Sequence, residues 1–537
     1  MPFLADPPIS VKIRKMKERI RWREPIISAK NIDQTRFVLD DGKNESSEFS
    51  FLVIGDTGAG KEQRYNPQRQ VAEQMLPHLD SCRFVLHTGD VVYLAGSSEY
   101  YLDNFIKPYQ EFLVGGDRPS QIAYDRMIFN HPILPVPGNH DYYDFNRLGG
   151  LLTGMTLPLR RLIKRGLDFD IGWHGSYQGQ AYAQAFLDCL NRLPNSELLD
   201  RYLDQHYTAQ TETGRCLRYQ PGEFTRLPNR YYTFRYGGID FFALDSNTFN
   251  APQPIPQTPA GDTHRRLLQE HRVRLEQDKQ LIVQEIARLN FVNPDDAEQL
   301  HDLQSKMQQI DEIILDIEKQ LGTQTTPAID VEQLNWLQEG LINSWNTPEV
   351  RGRIIYFHHP PYVTEATKWD QAQTLAVRHH LRSVLDNVAA EIGSLKGDFP
   401  AGTLKDSLRI GLRDRPLVDL ILNGHAHCLE HLQTLDTGHG DSNLNWIVCG
   451  GSGFSLRRQR EEGSQLLETF ADDRTQLVAQ SNIFIGRNGQ GSKKRRPYSF
   501  IRIDVQPGTP PKLVIRPFVV ERFQKQWSTS ELKSFVL

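Results

Sequence analysis

Short runs of consecutive apolar residues, each closed by a polar turn, recur along the chain. Phe51-Leu52-Val53-Ile54 is followed by Gly55, Asp56, Thr57 and Gly58, and Phe84-Val85-Leu86 by Gly89, Asp90 and Tyr93. Ile133-Leu134-Pro135-Val136 leads into Gly138, Asn139, His140 and Asp141, and Ile354-Ile355-Tyr356-Phe357 into His358, His359 and Pro360. The last run, Val418 to Leu422, ends in Gly424, His425, Ala426 and His427. Unbroken apolar runs of this length are those of strands covered on both faces. In layered α/β chains ligands bind beyond the carboxyl ends of such strands, so turns in this register predict a single polar pocket. Residues two apart in an extended segment point the same way, which lets His425 and His427 serve one metal centre or two adjacent ones.

Other stretches follow a helical or irregular pattern. Asn66 to Leu79 and Asp330 to Ile342 read as helices, and Arg230 to Asp245 as a β-hairpin around Gly237 and Gly238. Between 262 and 321, Leu300, Leu303, Met307, Ile310, Ile314, Ile317 and Leu321 alternate spacings of three and four, a heptad seam. A weaker seam precedes it, with Asn293-Pro294-Asp295-Asp296 as the turn, so an inserted antiparallel helical hairpin is expected. It pairs either with itself alone or with a second copy or another protein. Residues 144–228 read as an irregular insertion over the pocket mouth. Residues 1–47 read as a basic appendage to a domain of residues 48–537, with Ile13, Met16 and Ile20 at helical spacing for packing on the same chain.

Composition narrows the function classes. The 537 residues carry a net charge of −4, which points to neither a nucleic-acid binder nor an acidic tail. The basic cluster Lys493 to Arg496 is read as a solvated loop, so nucleic acid is not an expected partner. No apolar stretch long enough to span a membrane occurs, and the first residues lack the pattern of a secretory leader. Five dispersed cysteines without a Cys-x-x-Cys pair fit reduced thiols, and a cytoplasmic location is expected.

Carboxylates, an asparagine, a tyrosine and imidazoles at strand ends suit first-row metal ions, and a pair of ions with a bridging carboxylate suits phosphoryl chemistry. Taken together and in order, the blocks Gly55-Asp56-x-Gly58, Gly89-Asp90-x-x-Tyr93, Gly138-Asn139-His140-Asp141, His358-x-Pro360 and Gly424-His425-x-His427 resemble those of the calcineurin-like metallophosphoesterases, and among them the purple acid phosphatases. The resemblance implies an α/β (α+β), four-layer αββα sandwich of two mixed sheets with metals at the strand ends. It implies that Asp56, Tyr93 and His427 hold one metal, that Asp90 bridges, and that Asn139, His358 and His425 hold the other. His140 would contact the phosphate and protonate the leaving oxygen, with Asp141 orienting it. Most relatives carry a histidine where Gly58 stands. Tyr93 occupies the place of the iron-bound phenolate of purple acid phosphatases, which implies Fe(III) paired with Zn, Mn or Fe(II).

The expected activity is hydrolysis of phosphate monoesters by metal-bound hydroxide with histidine as general acid. Two alternatives remain: a phosphodiesterase acting on nucleotides or nucleic acid, and a partner-binding scaffold that uses the hairpin. The family's secreted members carry a leader, and its plant members an N-terminal β-sandwich; neither is evident in this sequence.

Overall fold

Of the strands predicted to be buried on both faces, four lie inside two sheets and one, Ile133–Pro135, is an edge strand. The computed structural model describes residues 4–58, 65–145, 175–289, 294–395, 415–469, 475–490, 493–524 and 526–537. Among these, Phe49–Ile54, Cys82–His87 and Ile133–Pro135 run parallel in a 7-stranded sheet, completed by antiparallel strands from residues 495–536. The second sheet has 11 strands; at its centre Ile239–Ala243, Gly352–Phe357, Leu420–Asn423 and Asn445–Cys449 are parallel. The fold is thus mixed α/β with two mixed sheets.

Register explains why the polar turns can meet. Val53 pairs with Leu86 and Leu86 with Leu134, so the first three runs end nearly level. Tyr356 pairs with both Ala243 and Leu422, which aligns the ends of the histidine-bearing runs. The two sheets face each other across an aromatic core. Phe51 and Phe84 of one lie edge-on to Phe241 of the other at 5.5 and 5.4 Å between ring centres.

Within the larger sheet adjacent residues serve opposite faces. Phe241, Ile354 and Leu420 join the core between the sheets. Their neighbours Phe242, Ile355 and Ile421 pack under the helices Val331–Asn346 and Ala372–Leu395. Two covered faces are what an unbroken apolar run requires.

Residues 9–39 share the central core. Met16 of the helix Ile9–Arg19 and Ile20 just after it are buried in it, and Ile32–Leu39 is a strand of the larger sheet, parallel to Gly214–Tyr219. Residues 146–174 of the stretch expected to be irregular lie outside the described residues. Its remainder is regular in large part, with helices Gln180–Phe186 and Ser196–His206 and the strand Gly214–Tyr219.

The inserted hairpin consists of Pro259–Ile286 and Pro294–Gly322, and its first helix is capped by Thr258, whose hydroxyl accepts the Gly261 N–H at 3.2 Å. The connecting residues 290–293 lie outside the described residues. Leu275, Ile282 and Ile286 meet Leu300, Leu303, Ile310, Ile314 and Ile317 in a cluster separate from the other cores. No described helix is long and apolar enough to cross a membrane.

Candidate metal centre

Three residues that carry the chemistry sit in left-handed backbone: Asp56, Asp90 and His425, with φ of 53°, 54° and 65°. For residues with a Cβ this conformation costs about 1–2 kcal/mol each. Each is fixed by hydrogen bonds that close the turn. The Asp56 N–H donates to the Gly89 carbonyl at 3.0 Å. The His425 N–H donates to Asp56 Oδ2 and the His140 N–H to Asp90 Oδ1, both at 2.9 Å. Each carboxylate therefore commits one oxygen to the backbone of a facing block and turns the other toward the pocket.

The turned oxygens converge on Tyr93. Its hydroxyl lies 2.9 Å from Asp56 Oδ1, 2.8 Å from Asp90 Oδ2 and 3.2 Å from His427 Nε2. Glycine at 58 makes room for this approach, since a Cβ there would stand 2.2 Å from the Val91 carbonyl oxygen. Phe454 backs the phenol, stacked at 3.7 Å between ring centres. Beside this group His358 Nε2 lies 2.9 Å from Asn139 Oδ1, 3.3 Å from Asp90 Oδ2 and 3.2 Å from His425 Nδ1. Gly138 is required for the same reason as Gly58, because its Cβ would overlap Asp90 Oδ1 at 2.1 Å. Asp56, Tyr93, His427, Asp90, Asn139, His358 and His425 are thus all in one buried pocket.

The remaining candidates sit at its edge. His140 presents Nε2 to the pocket, 4.0 Å from Asp90 Oδ2, and its Nδ1 is held by the Leu94 carbonyl. Asp141 does not reach that ring. Its carboxylate accepts the Gly138 N–H at 2.8 Å and the Val91 N–H at 3.2 Å, tying the second and third blocks together. The task of orienting His140 falls to Leu94, because Asp141 lies under the turn. His359 is turned away and satisfied by Ser246 and Asn250.

The electrostatics call for a cation. Burial lifts the Asp56 carboxyl well above its usual range, with the Asp90 charge adding to the effect. Burial also opposes ionisation of Asp90, but the His358 and His140 imidazoles outweigh it and hold that carboxyl low. Burial keeps His427 and His425 neutral, the state in which imidazole binds metal. His425 Nε2 is buried without a hydrogen-bond partner. Ligand atoms of Asp90, His358 and His425 lie within 4.8 Å of one another. Clustered carboxylates, neutral imidazoles and an orphaned nitrogen fit a metal site.

Two cations and an anion at the pocket were not among the sequence-based candidates. Glu312, on the second hairpin helix, places Oε1 3.8 Å from His140 Nε2 and pairs with Lys368 Nζ at 2.6 Å. Arg457 donates its backbone N–H to the His427 carbonyl, and its Nε and Nη2 are buried with no partner. A signal for Glu312 does exist in the chain. Asp302, Ser305, Gln309, Glu312, Asp316 and Lys319 each stand two positions after a residue of the apolar seam, forming a second, polar stripe on the same helix.

Comparison with known proteins agrees with the first blocks. Residues 49–301 match the family model of the calcineurin-like phosphoesterases. No curated protein matches the chain. Among solved structures it is similar to a purple acid phosphatase, PPD1, from seeds of yellow lupin (Lupinus luteus), at 12% identity and a TM-score of 0.39, over 92% of this chain and 54% of that one. The chain therefore spans about half the length of the lupin protein. It is also similar to PhoD, at 11% identity and a TM-score of 0.37, covering 91% of this chain and 69% of that one. A third is GAP50, described as the anchor in the inner membrane complex of Plasmodium, at 11% identity and a TM-score of 0.33 over 90% and 88%.

Proposed function

We propose that this chain, whose residues 49–301 match the calcineurin-like phosphoesterase family model, is a metal-dependent phosphoric ester hydrolase whose pocket holds two metal ions and hydrolyses phosphate monoesters. The observation that carries this reading is the convergence of Asp90, His358 and His425 within 4.8 Å. Asp56, Tyr93 and His427 would hold one ion, Asn139, His358 and His425 the other, and Asp90 would lie between them. When bound, such a pair polarises the phosphoryl oxygens and supplies an activated nucleophile at neutral pH.

The protein's own side chains supply the rest. His140 is fixed through Nδ1 on the Leu94 carbonyl, so Nε2 is the atom that gives its proton to the departing alkoxide. The neighbouring Asp90 and Glu312 charges outweigh burial and raise the affinity of this imidazole for its proton. The hairpin over the pocket favours a terminal phosphate over a diester linkage, which would need a second exit for its chain. Tyr93, among two carboxylates and a neutral imidazole, is suited to bind as phenolate, and a hard anionic oxygen favours Fe(III) with Zn, Mn or Fe(II) as partner.

Metal analysis of purified protein and turnover of a nitrophenyl monoester against a bis-nitrophenyl diester test this reading. The expected result is two metals per chain and faster release from the monoester. Failure to cleave either ester with Mn or Fe/Zn loaded would overturn it. In iron-loaded protein, a visible charge-transfer band that disappears in Tyr93→Phe is the expected mark of the phenolate.

A further inference from the structure

The pocket's roof is attached to the body through polar side chains. The apolar seam of Pro294–Gly322 faces only its partner helix, in a cluster of its own. The polar stripe two positions along faces the body. Asp302 pairs with Arg487, Lys494 and Arg496, and the Ser305 hydroxyl meets that of Ser455 at 2.8 Å. Asp316 accepts the N–H groups of Ala372 and Gln373, and Lys319 pairs with Asp6 at 2.7 Å. Lifting the hairpin would expose polar groups to water and leave its apolar seam buried, so opening requires little hydrophobic surface to be wetted.

At the centre of the stripe is Glu312, an anion in a cradle of cations. Lys368 is 2% exposed in its side chain and has this carboxylate as its ion-pair partner. His140 Nε2 faces the same carboxylate. Arg457 lines a cavity of about 930 Å³ beneath Asp302, Ser305 and Gln309, with two guanidinium donors unpartnered. A buried cation needs a counter-charge, and a buried donor needs an acceptor. A phosphoryl group offers both, with more oxygens than a carboxylate.

We propose that Lys368, with His140, forms an anion site beside the metal centre that takes the phosphoryl oxygens of the substrate, and that Glu312 is its resident occupant, withdrawn when the hairpin lifts. The inference rests on the phosphoesterase reading for what the anion is. Glu312 and the ester then compete for the same face of His140, so the hairpin governs access as well as covering the site. Arg457, between His427 and the cavity, is placed to meet a second anionic group on the substrate.

The test is orthophosphate binding, measured by calorimetry on the purified, metal-containing protein without turnover. Glu312→Gln keeps the shape and removes the competing charge, and it is expected to tighten phosphate binding at least threefold. Adding Lys368→Met to that variant should reverse the gain. In Ser305→Cys with Ser455→Cys, oxidation to a disulfide should close the roof and weaken phosphate binding at least threefold relative to the reduced form. A smaller change for Glu312→Gln, or equal binding by oxidised and reduced forms, overturns the proposal. Phosphate binding in the expected pattern without ester hydrolysis would count against the phosphoesterase reading alone. Hydrolysis with phosphate affinity indifferent to Glu312 would count against the anion site alone.

Discussion

In the floor of the pocket Asp56, Asp90 and His425 hold left-handed backbone at the ends of strands covered on both faces, whereas the roof is two regular helices. The floor joins residues from opposite sheets: Asp56 and Asp90 follow strands of the smaller sheet, His358 and His425 strands of the larger. It exists only when the aromatic core between the sheets is packed. The roof keeps its own apolar cluster and meets the body through ion pairs and hydrogen bonds. A rigid floor under a separable roof puts metal binding where nothing moves and substrate admission where movement costs least.

The largest expected effect comes from breaking the floor. Asp90→Asn keeps an acceptor for the His140 N–H but removes the charge between the two proposed ions. Turnover of a nitrophenyl monoester should fall by about 10³-fold, the scale of losing a key electrostatic group in a water-excluded site. Metal content should drop with it, while hydrogen exchange in residues 259–322 stays as in the parent protein. Turnover within tenfold of the parent would mean that Asp90 is not the central ligand.

Breaking the roof should be local. Ile310 is 4% exposed in the hairpin seam, and Ile310→Ala should cost about 2–4 kcal/mol there. Hydrogen exchange should accelerate across Pro259–Ile286 and Pro294–Gly322 and remain slow in Phe49–Ile54 and Cys82–His87. Equal acceleration in the strands would show that floor and roof unfold as one unit and would end the distinction between them.

The two regions also differ in how far the sequence reveals them. Each strand with its turn, such as Phe51 to Gly58, is a local pattern, and so is the heptad seam from Leu300 to Leu321. An unbroken apolar run closed by a polar turn and a heptad repeat can each be read without knowing the partner. The pairing of Lys368 with Glu312 joins two segments that show no pattern in common, and Arg457 lies in a polar stretch without strand or helix signal. Ile32–Leu39 is similar: its neighbour in the larger sheet, Gly214–Tyr219, lies far along the chain, and nothing near it in sequence announces the pairing. The polar stripe of the hairpin is legible in principle. Polar residues on a helix ordinarily face water, so the stripe acquires meaning only once the body beneath it is known to be charged.

The smallest expected effect separates the two regions by pH. Glu430 lies in Leu429–Thr434, a strand of the sheet that bears the histidines, and its carboxylate accepts the Thr364 N–H at 3.0 Å as well as the Thr364 hydroxyl. Burial pushes this carboxyl up to about 7 from an ordinary 4.5, the Thr364 bonds opposing. The folded protein therefore keeps a proton that the unfolded chain has lost between those values. The stability this contributes is complete below the unfolded value and is lost as pH rises through 7, a change of about 2–3 kcal/mol between pH 5 and pH 8. Glu430→Gln has no proton to lose, so its stability should fall less over that range than the parent's by this amount, as measured by urea unfolding at the two pH values. Groups that titrate in both proteins cancel in the difference. In the parent at pH 8 the faster hydrogen exchange should appear in Leu429–Thr434 and its neighbour Asn445–Cys449 and be absent from the hairpin seam. Identical pH dependence in parent and variant would mean that Glu430 is already ionised in the fold and that this part of the floor is wetter than its burial indicates.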